Sequence, residues 1–175
     1  MESWRKIPAF LWPGKENFQK IKDEPIKTSL IYLFSGVVFF AAANLIFNLE
    51  YFSEYPVEHL AFMMLITAVA LVGMLFLACS ISFLAARVLG GKNTYYDMLK
   101  IVTYSFTPAY FFGWLYPVGF LAVALSFGNI FAGVASIFRL NIWKSIVVAA
   151  APLLAFFLFF LVFVYVIFNT GTAAV

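Results

Sequence analysis

The chain has 175 residues, 65% of them apolar and only 11% charged, with a mean hydropathy of +0.99. Soluble domains carry about 25% charged residues, so this composition excludes one and leaves room for roughly five membrane spans of ~20 residues in a single helical bundle. The net charge is +3, from 11 basic and 8 acidic residues, and the one cysteine, Cys79, excludes an intramolecular disulfide and a cysteine-built metal site.

Residues 1–27 hold Arg5, Lys6, Lys15, Lys20, Lys22 and Lys27 against Glu2, Glu16, Asp23 and Glu24, with Trp4, Phe10, Trp12, Phe18 and Ile21 interleaved. Aromatic rings and mixed charge suit the headgroup zone. The segment is therefore expected to be a cytosolic, amphipathic, interfacial anchor. Within it Pro13 and Pro25 bracket a short helix on which Glu16 and Lys20 make a favourable i, i+4 pair. The start lacks the basic, apolar and small-residue pattern of a cleaved signal peptide, so the first span is expected to serve also as the targeting signal.

The first span, 28–48, is uncharged and about 31 Å long as a helix, close to the ~30 Å hydrocarbon core. A polar turn with Glu50, Glu54, Pro56, Glu58 and the sole histidine, His59, leads to a second span at 60–88, ending near Arg87 and the Gly90 and Gly91 pair. Residues 101–138 contain no charge. One helix of that length would be about 57 Å long, so it must double back. The natural turn is 113–117, where Trp114 and Tyr116 fit an interfacial belt, giving a third span at 98–115 and a fourth at 117–138. The fifth, 145–168, carries Pro152 near its start, where proline is tolerated. Residues 28–169 thus form the membrane domain and 170–175 a short extracytosolic tail.

Charge placement agrees with this count. With a cytosolic amino terminus, five spans put Arg87, Lys92, Lys100, Arg139 and Lys144 on the same side as the six basic residues of 1–27, so all 11 lie inside. The expected fold is all-α, a polytopic bundle of five transmembrane helices with an extracytosolic carboxyl terminus.

Residues 90–117 hold the one interior concentration of caps, charges and prolines. Gly90 and Gly91 can end the incoming helix, and Thr94 with Asp97 three positions on matches an Asp variant of the capping box. Pro108 removes the hydrogen bond to the Tyr104 carbonyl, which Ser105, Thr107, water or another helix must then meet.

The five spans contain no ionisable Asp, Glu, Lys, Arg or His side chain away from their edges, and acid, base and ion-coupling chemistry need such groups. No enzyme activity, cofactor, metal or nucleic-acid partner is expected, and His59 reads as a solvated interface residue. Asn44, Asn48, Thr67, Ser80, Tyr104, Ser105, Thr107 and Asn129 can glue helices by hydrogen bonds. Small residues fall on one face at Ala78, Ser82 and Ala86 and again at Gly128, Ala132 and Ser136. They permit close approach of a neighbouring span or of a second copy, leaving a homo-oligomer open.

FLWPGKENFQKIKDEP, LGGKNTYYDMLKIVTYSFTP with its Tyr104 to Pro108 spacing, and the five-span layout together resemble the Yip family, the Ypt/Rab-GTPase-interacting membrane proteins and their prokaryotic relatives. The resemblance implies a five-helix bundle that organises membranes or holds a protein partner at the cytosolic face. The chain departs from the eukaryotic pattern in its short amino-terminal region and its lack of an Asp-Leu-Tyr-Gly-Pro motif, which puts a GTPase partner in doubt. The resemblance therefore implies a short prokaryotic member in the cell membrane, or in the endomembrane system if the source is eukaryotic.

Two classes of function follow. One is a scaffold whose cytosolic face, from the amino-terminal segment, Arg87, Lys92, Lys100, Arg139 and Lys144, meets a protein or anionic lipid. The other is a small transporter or channel lined by Tyr104, Ser105, Thr107 and Asn129 beside Pro108, with an accessory subunit of a larger membrane complex as a further variant.

Overall fold

Helix ends in this chain fall where a proline, a glycine or a capping side chain changes the backbone's hydrogen bonding. The structure, a computed structural model, describes residues 7–47 and 56–171. Residues 1–6, Asn48 and the acidic positions to 55, and 172–175 lie outside the described residues. Two short helices, α1 (Ile7–Phe10) and α2 (Lys15–Ile21), precede α3 (Ile26–Phe47), which starts directly after Pro25. Pro56 precedes α4 (Val57–Val88). Then come α5 (Tyr95–Ser105), α6 (Thr107–Phe112), α7 (Val118–Gly133) and α8 (Ile142–Gly171), and no strand occurs among the described residues.

Among the described residues, three helical stretches are long and apolar enough to cross a membrane: Ile26–Phe47, Glu58–Val88 and Val118–Phe138. The stretch expected as a third span interrupted at Pro108 is α5 and α6, broken at Phe106, whose φ of −79° and ψ of 4° leave the helical region. The fourth does not stay α-helical to its end either. Its last turn, Val134–Phe138, is a π-helix, closed by Arg139 in the left-handed conformation at φ 52°.

Pro152 corrects a sequence expectation. It lies well inside α8, because Asn141 Oδ1 accepts from the Lys144 amide at 3.0 Å and starts the helix ahead of the uncharged run. A proline there cannot bond the carbonyl four residues back, that of Val148. Ser82 Oγ on α4 donates to that oxygen at 3.3 Å. The small face Ala78, Ser82 and Ala86, all buried, is thus used within the chain, against α8.

Glycine permits a second close approach. A Cβ on Gly36 of α3 would fall 2.6 Å from the Tyr110 ring of α6, so only a bare backbone lets that ring lie flat on the helix. Between α6 and α7 the chain reverses through 113–117, where Trp114 stacks on Phe47 with centroids 4.1 Å apart and Tyr116 is exposed.

Candidate functional site

The turn from α4 into α5 defines one end of the bundle, here called the capped end. Gly91 N–H donates to Ala86 O at 2.8 Å and Gly90 N–H to Arg87 O at 3.1 Å. This is the Schellman pattern, and Gly90 takes the positive φ of 95° that it requires. The exposed Lys144 ammonium adds a bond to Leu89 O at 2.8 Å, which helps close the end of α4. Gly91 is buried, and a Cβ there would lie 2.8 Å from the Phe138 ring and 2.9 Å from Ala86 O.

At the start of α5 both arms of a capping box are present. Asp97 N–H donates to Thr94 Oγ1 at 3.3 Å, and the Thr94 amide donates to Asp97 Oδ2 at 2.9 Å. The Thr94 hydroxyl also donates to Asp97 Oδ2 at 2.8 Å. One residue on, Tyr95 packs edge-on against Phe83 and its phenol bonds Ser80 Oγ at 3.3 Å. Ser80 already donates to Phe76 O, so Tyr95 is the donor.

Nothing in the amino-terminal segment's own sequence showed where it lies. Residues 7–24 form a strap tucked into the capped end. Phe10, Phe18 and Ile21 are buried. Phe10 stacks on Tyr104 with centroids 4.9 Å apart, and Tyr32 meets the same tyrosine at 4.6 Å. The strap's backbone is held by side chains of the bundle: Asn129 Nδ2 donates to Phe10 O at 2.7 Å, Ser136 Oγ to Lys15 O at 3.0 Å and Lys100 Nζ to Lys22 O at 2.6 Å. At its far end Glu24 Oε2 accepts from the Tyr104 phenol at 2.8 Å.

Two sequence expectations change here. Lys100, expected as a contact for a partner, is 7% exposed and committed to the strap, because its position on α5 faces inward beside buried Leu99 and Ile101. The second small face, Gly128, Ala132 and Ser136, receives the strap. A Cβ on Gly128 would come within 3.0 Å of Pro13, and one on neighbouring Gly133 within 3.0 Å of Phe18 and 2.6 Å of Ile101. That stripe was the signal from which the strap's seat could have been found. Phe10, Phe18 and Glu24 carried no comparable signal.

The Pro108 break is repaired locally. Thr107 Oγ1 donates to the Tyr104 carbonyl at 2.6 Å, supplying the bond that the proline cannot make. Having spent its proton, Thr107 accepts from the Tyr32 phenol at 2.8 Å. Buried Thr103 Oγ1, Ser105 Oγ, Tyr110 OH and Asn129 Oδ1 have no hydrogen-bond partner. The polar residues around the break therefore divide into a mutually bonded set, Tyr32, Tyr104 and Thr107, and others, Thr103, Ser105, Tyr110 and Asn129, with an oxygen left unbonded.

Of the basic residues expected at the cytosolic face, Arg87, Lys92, Arg139 and Lys144 are exposed at the capped end, and Arg87 lies over the Phe83 ring at 6.0 Å. Exposed Tyr96 and Trp143 accompany them. The arrangement offers cations and aromatic rings to a surface, and among the described residues no cluster of His, Cys, Asp and Glu could hold a metal ion.

A family model described as the Yip1 domain matches residues 9–164. No curated protein and no solved structure matches the chain.

Proposed function

The chain belongs to the Yip1-domain family of membrane proteins, and from that premise we propose that it is a non-enzymatic, five-span scaffold whose capped end faces the cytosol. In this reading α5 and α6 together make one span: residues 95–112, at ~1.5 Å each, reach about 27 Å, close to the hydrocarbon thickness. With α8 as the fifth span, all 11 basic residues fall on the capped side. A reporter fused after Val175 should then read extracytosolic, and a cytosolic signal there would overturn the topology.

The observation that carries the scaffold reading is the surface left at the capped end. Arg87, Lys92 and Arg139 stand exposed beside Tyr96 and Trp143, whereas the polar residues Tyr32, Tyr104 and Thr107 are occupied with one another and with the strap. Cations flanked by interfacial aromatics suit a protein partner or anionic headgroups, each basic group near an anionic leaflet contributing about 1 kcal/mol. Crosslinking from Lys92 in native membranes is expected to recover a partner or show preference for anionic lipid. Recovery of neither counts against the scaffold.

The unbonded Thr103, Ser105 and Asn129 oxygens favour a second reading, a small transporter or channel with a hydrated path past Pro108. Liposome flux that responds to Tyr104→Phe and Thr107→Val supports it; flux absent from both wild type and variants removes it. An accessory subunit of a larger complex is a variant of the first reading, and native size in detergent separates lone bundle, homo-oligomer and hetero-complex. We propose a prokaryotic cell membrane as its location, in keeping with the lack of an Asp-Leu-Tyr-Gly-Pro motif.

A further inference from the structure

Past the break at Phe106, in the middle of the spans, lies an apolar cleft of about 300 Å³. Phe40 of α3, Met74 of α4, Tyr110 of α6, Phe127 of α7 and Phe156 of α8 are among its walls, so all the long helices contribute. Small residues help to leave it open, since Ala78, Ala109 and Gly113 line it, and Pro152 lies on one wall.

The chemistry of the walls selects the occupant. Every lining side chain is hydrocarbon, aromatic or thioether except the Tyr110 phenol. Liquid water at ~30 Å³ per molecule would put on the order of ten waters in such a volume, each needing roughly two to four polar partners. One phenol cannot supply them, so the cleft takes an apolar guest.

Access selects its source. The lining residues Met74, Val123 and Leu153 are exposed, and they continue into the outward-facing apolar belt that includes Leu77, Phe120, Leu121 and Leu154. In a membrane protein that belt faces hydrocarbon, so the medium at the mouth is acyl chain. A neighbouring cleft of about 280 Å³ between α7 and α8 shares Phe127 and Leu153 with the first. It extends past Gly128 to Phe131 and Ile146, toward exposed Arg139 in the loop before α8 and exposed Trp143 in the first turn of α8.

We propose that the two clefts form one track that seats a single acyl chain of a bilayer phospholipid, entering between α7 and α8 and ending against Phe106 and Tyr110. The headgroup then lies at the capped end, near Arg139. Its assignment to the cytosolic leaflet rests on the topology proposed above; the seating of the chain does not. The bound chain touches Phe106, where the helix breaks, and so fills the space on which a change of angle between α5 and α6 would draw.

The test uses the full chain in phosphatidylcholine/phosphatidylglycerol vesicles doped with phosphatidylcholine bearing a mid-chain diazirine. After irradiation, peptides containing Met74, Phe106 and Phe127 should be labelled several-fold more than those containing Phe120 and Leu121, which lie on the open belt. Val123→Trp at the mouth and Ala150→Trp in the second cleft should each cut that excess several-fold, and Leu77→Trp, outside the clefts, should leave it unchanged. Equal labelling of belt and cleft means annular lipid only and overturns the proposal, as does an excess indifferent to both filling variants. If a filling variant does not fold, the wild-type labelling ratio still decides. Because the ratio does not depend on which side each terminus occupies, a failed topology and a failed lipid site are distinguishable.

Discussion

Tyr104 and Tyr110 lie less than two turns apart on the chain, yet they belong to differently built regions. Tyr104, at the capped end, is fully buried, touches the rings of Phe10 and Tyr32 and donates to Glu24. Tyr110 is also buried, but its hydroxyl has no partner and its residue lines the apolar cleft. Around the first, side chains from α5, α7 and the π-helical turn hold the strap's carbonyls one by one. Around the second, hydrocarbon walls meet with room between them. Inside a bilayer apolar burial does not drive helices together, because lipid tails are as apolar as leucine. Close packing there needs directional bonds or small residues, and the capped end has both. The cleft has few bonds, and there lipid can complete the packing.

This contrast predicts a gradient of mutational cost. The largest effect is expected from Tyr104→Ala, which removes both ring contacts and the Glu24 bond and leaves a cavity. By analogy with buried aromatic truncations it should cost about 3–5 kcal/mol, read as a fall in the detergent unfolding midpoint together with faster proteolysis at Lys15 and Lys20 as the strap loosens. A near-neutral result would break the claim that the strap is part of the folded bundle. Next comes Gly90→Ala. Nothing lies within 4 Å of a Cβ there, so the cost is conformational alone, about 1–2 kcal/mol for a left-handed residue with a side chain. Thr94→Ala should cost about 1 kcal/mol by removing one arm of the capping box, and amide exchange of the first turn of α5 should quicken while α4 is unaffected. The smallest effect is expected at Phe120, 73% exposed on the apolar belt, where Phe120→Ala should stay within about 0.5 kcal/mol in the same unfolding assay. A cost there equal to that of Tyr104→Ala would erase the difference between the two regions.

The two interior prolines make a parallel point. Each strands a carbonyl, and in each case a hydroxyl meets it: Thr107 for Tyr104, from the adjacent position, and Ser82 for Val148, from another helix. The first repair could be foreseen, because Thr107 is a neighbour in sequence. The second could not, since nothing local relates residue 82 to residue 148. The same division holds for the lysines. Lys92 stands in a polar turn and is exposed, whereas Lys100 and Lys144 are drawn to the carbonyls of Lys22 and Leu89 by helix rotations that no local pattern encodes.

By itself the sequence determined that this is an all-helical membrane protein. It also determined where most helices stop, because length, capping, proline and glycine act within a few residues of where they are written. Gly90, Thr94, Asp97 and Pro108 all belong to that local grammar. Only the tertiary structure decided which faces turn inward, where the strap lodges and where the cleft opens. The physical reason is that α3 and α4 are apolar all round. In water an apolar face points to the core, but in a bilayer lipid and protein interior look alike to it, so the choice falls to the fit of Gly36 on Tyr110, Gly133 on Phe18 and Asn129 on a single carbonyl.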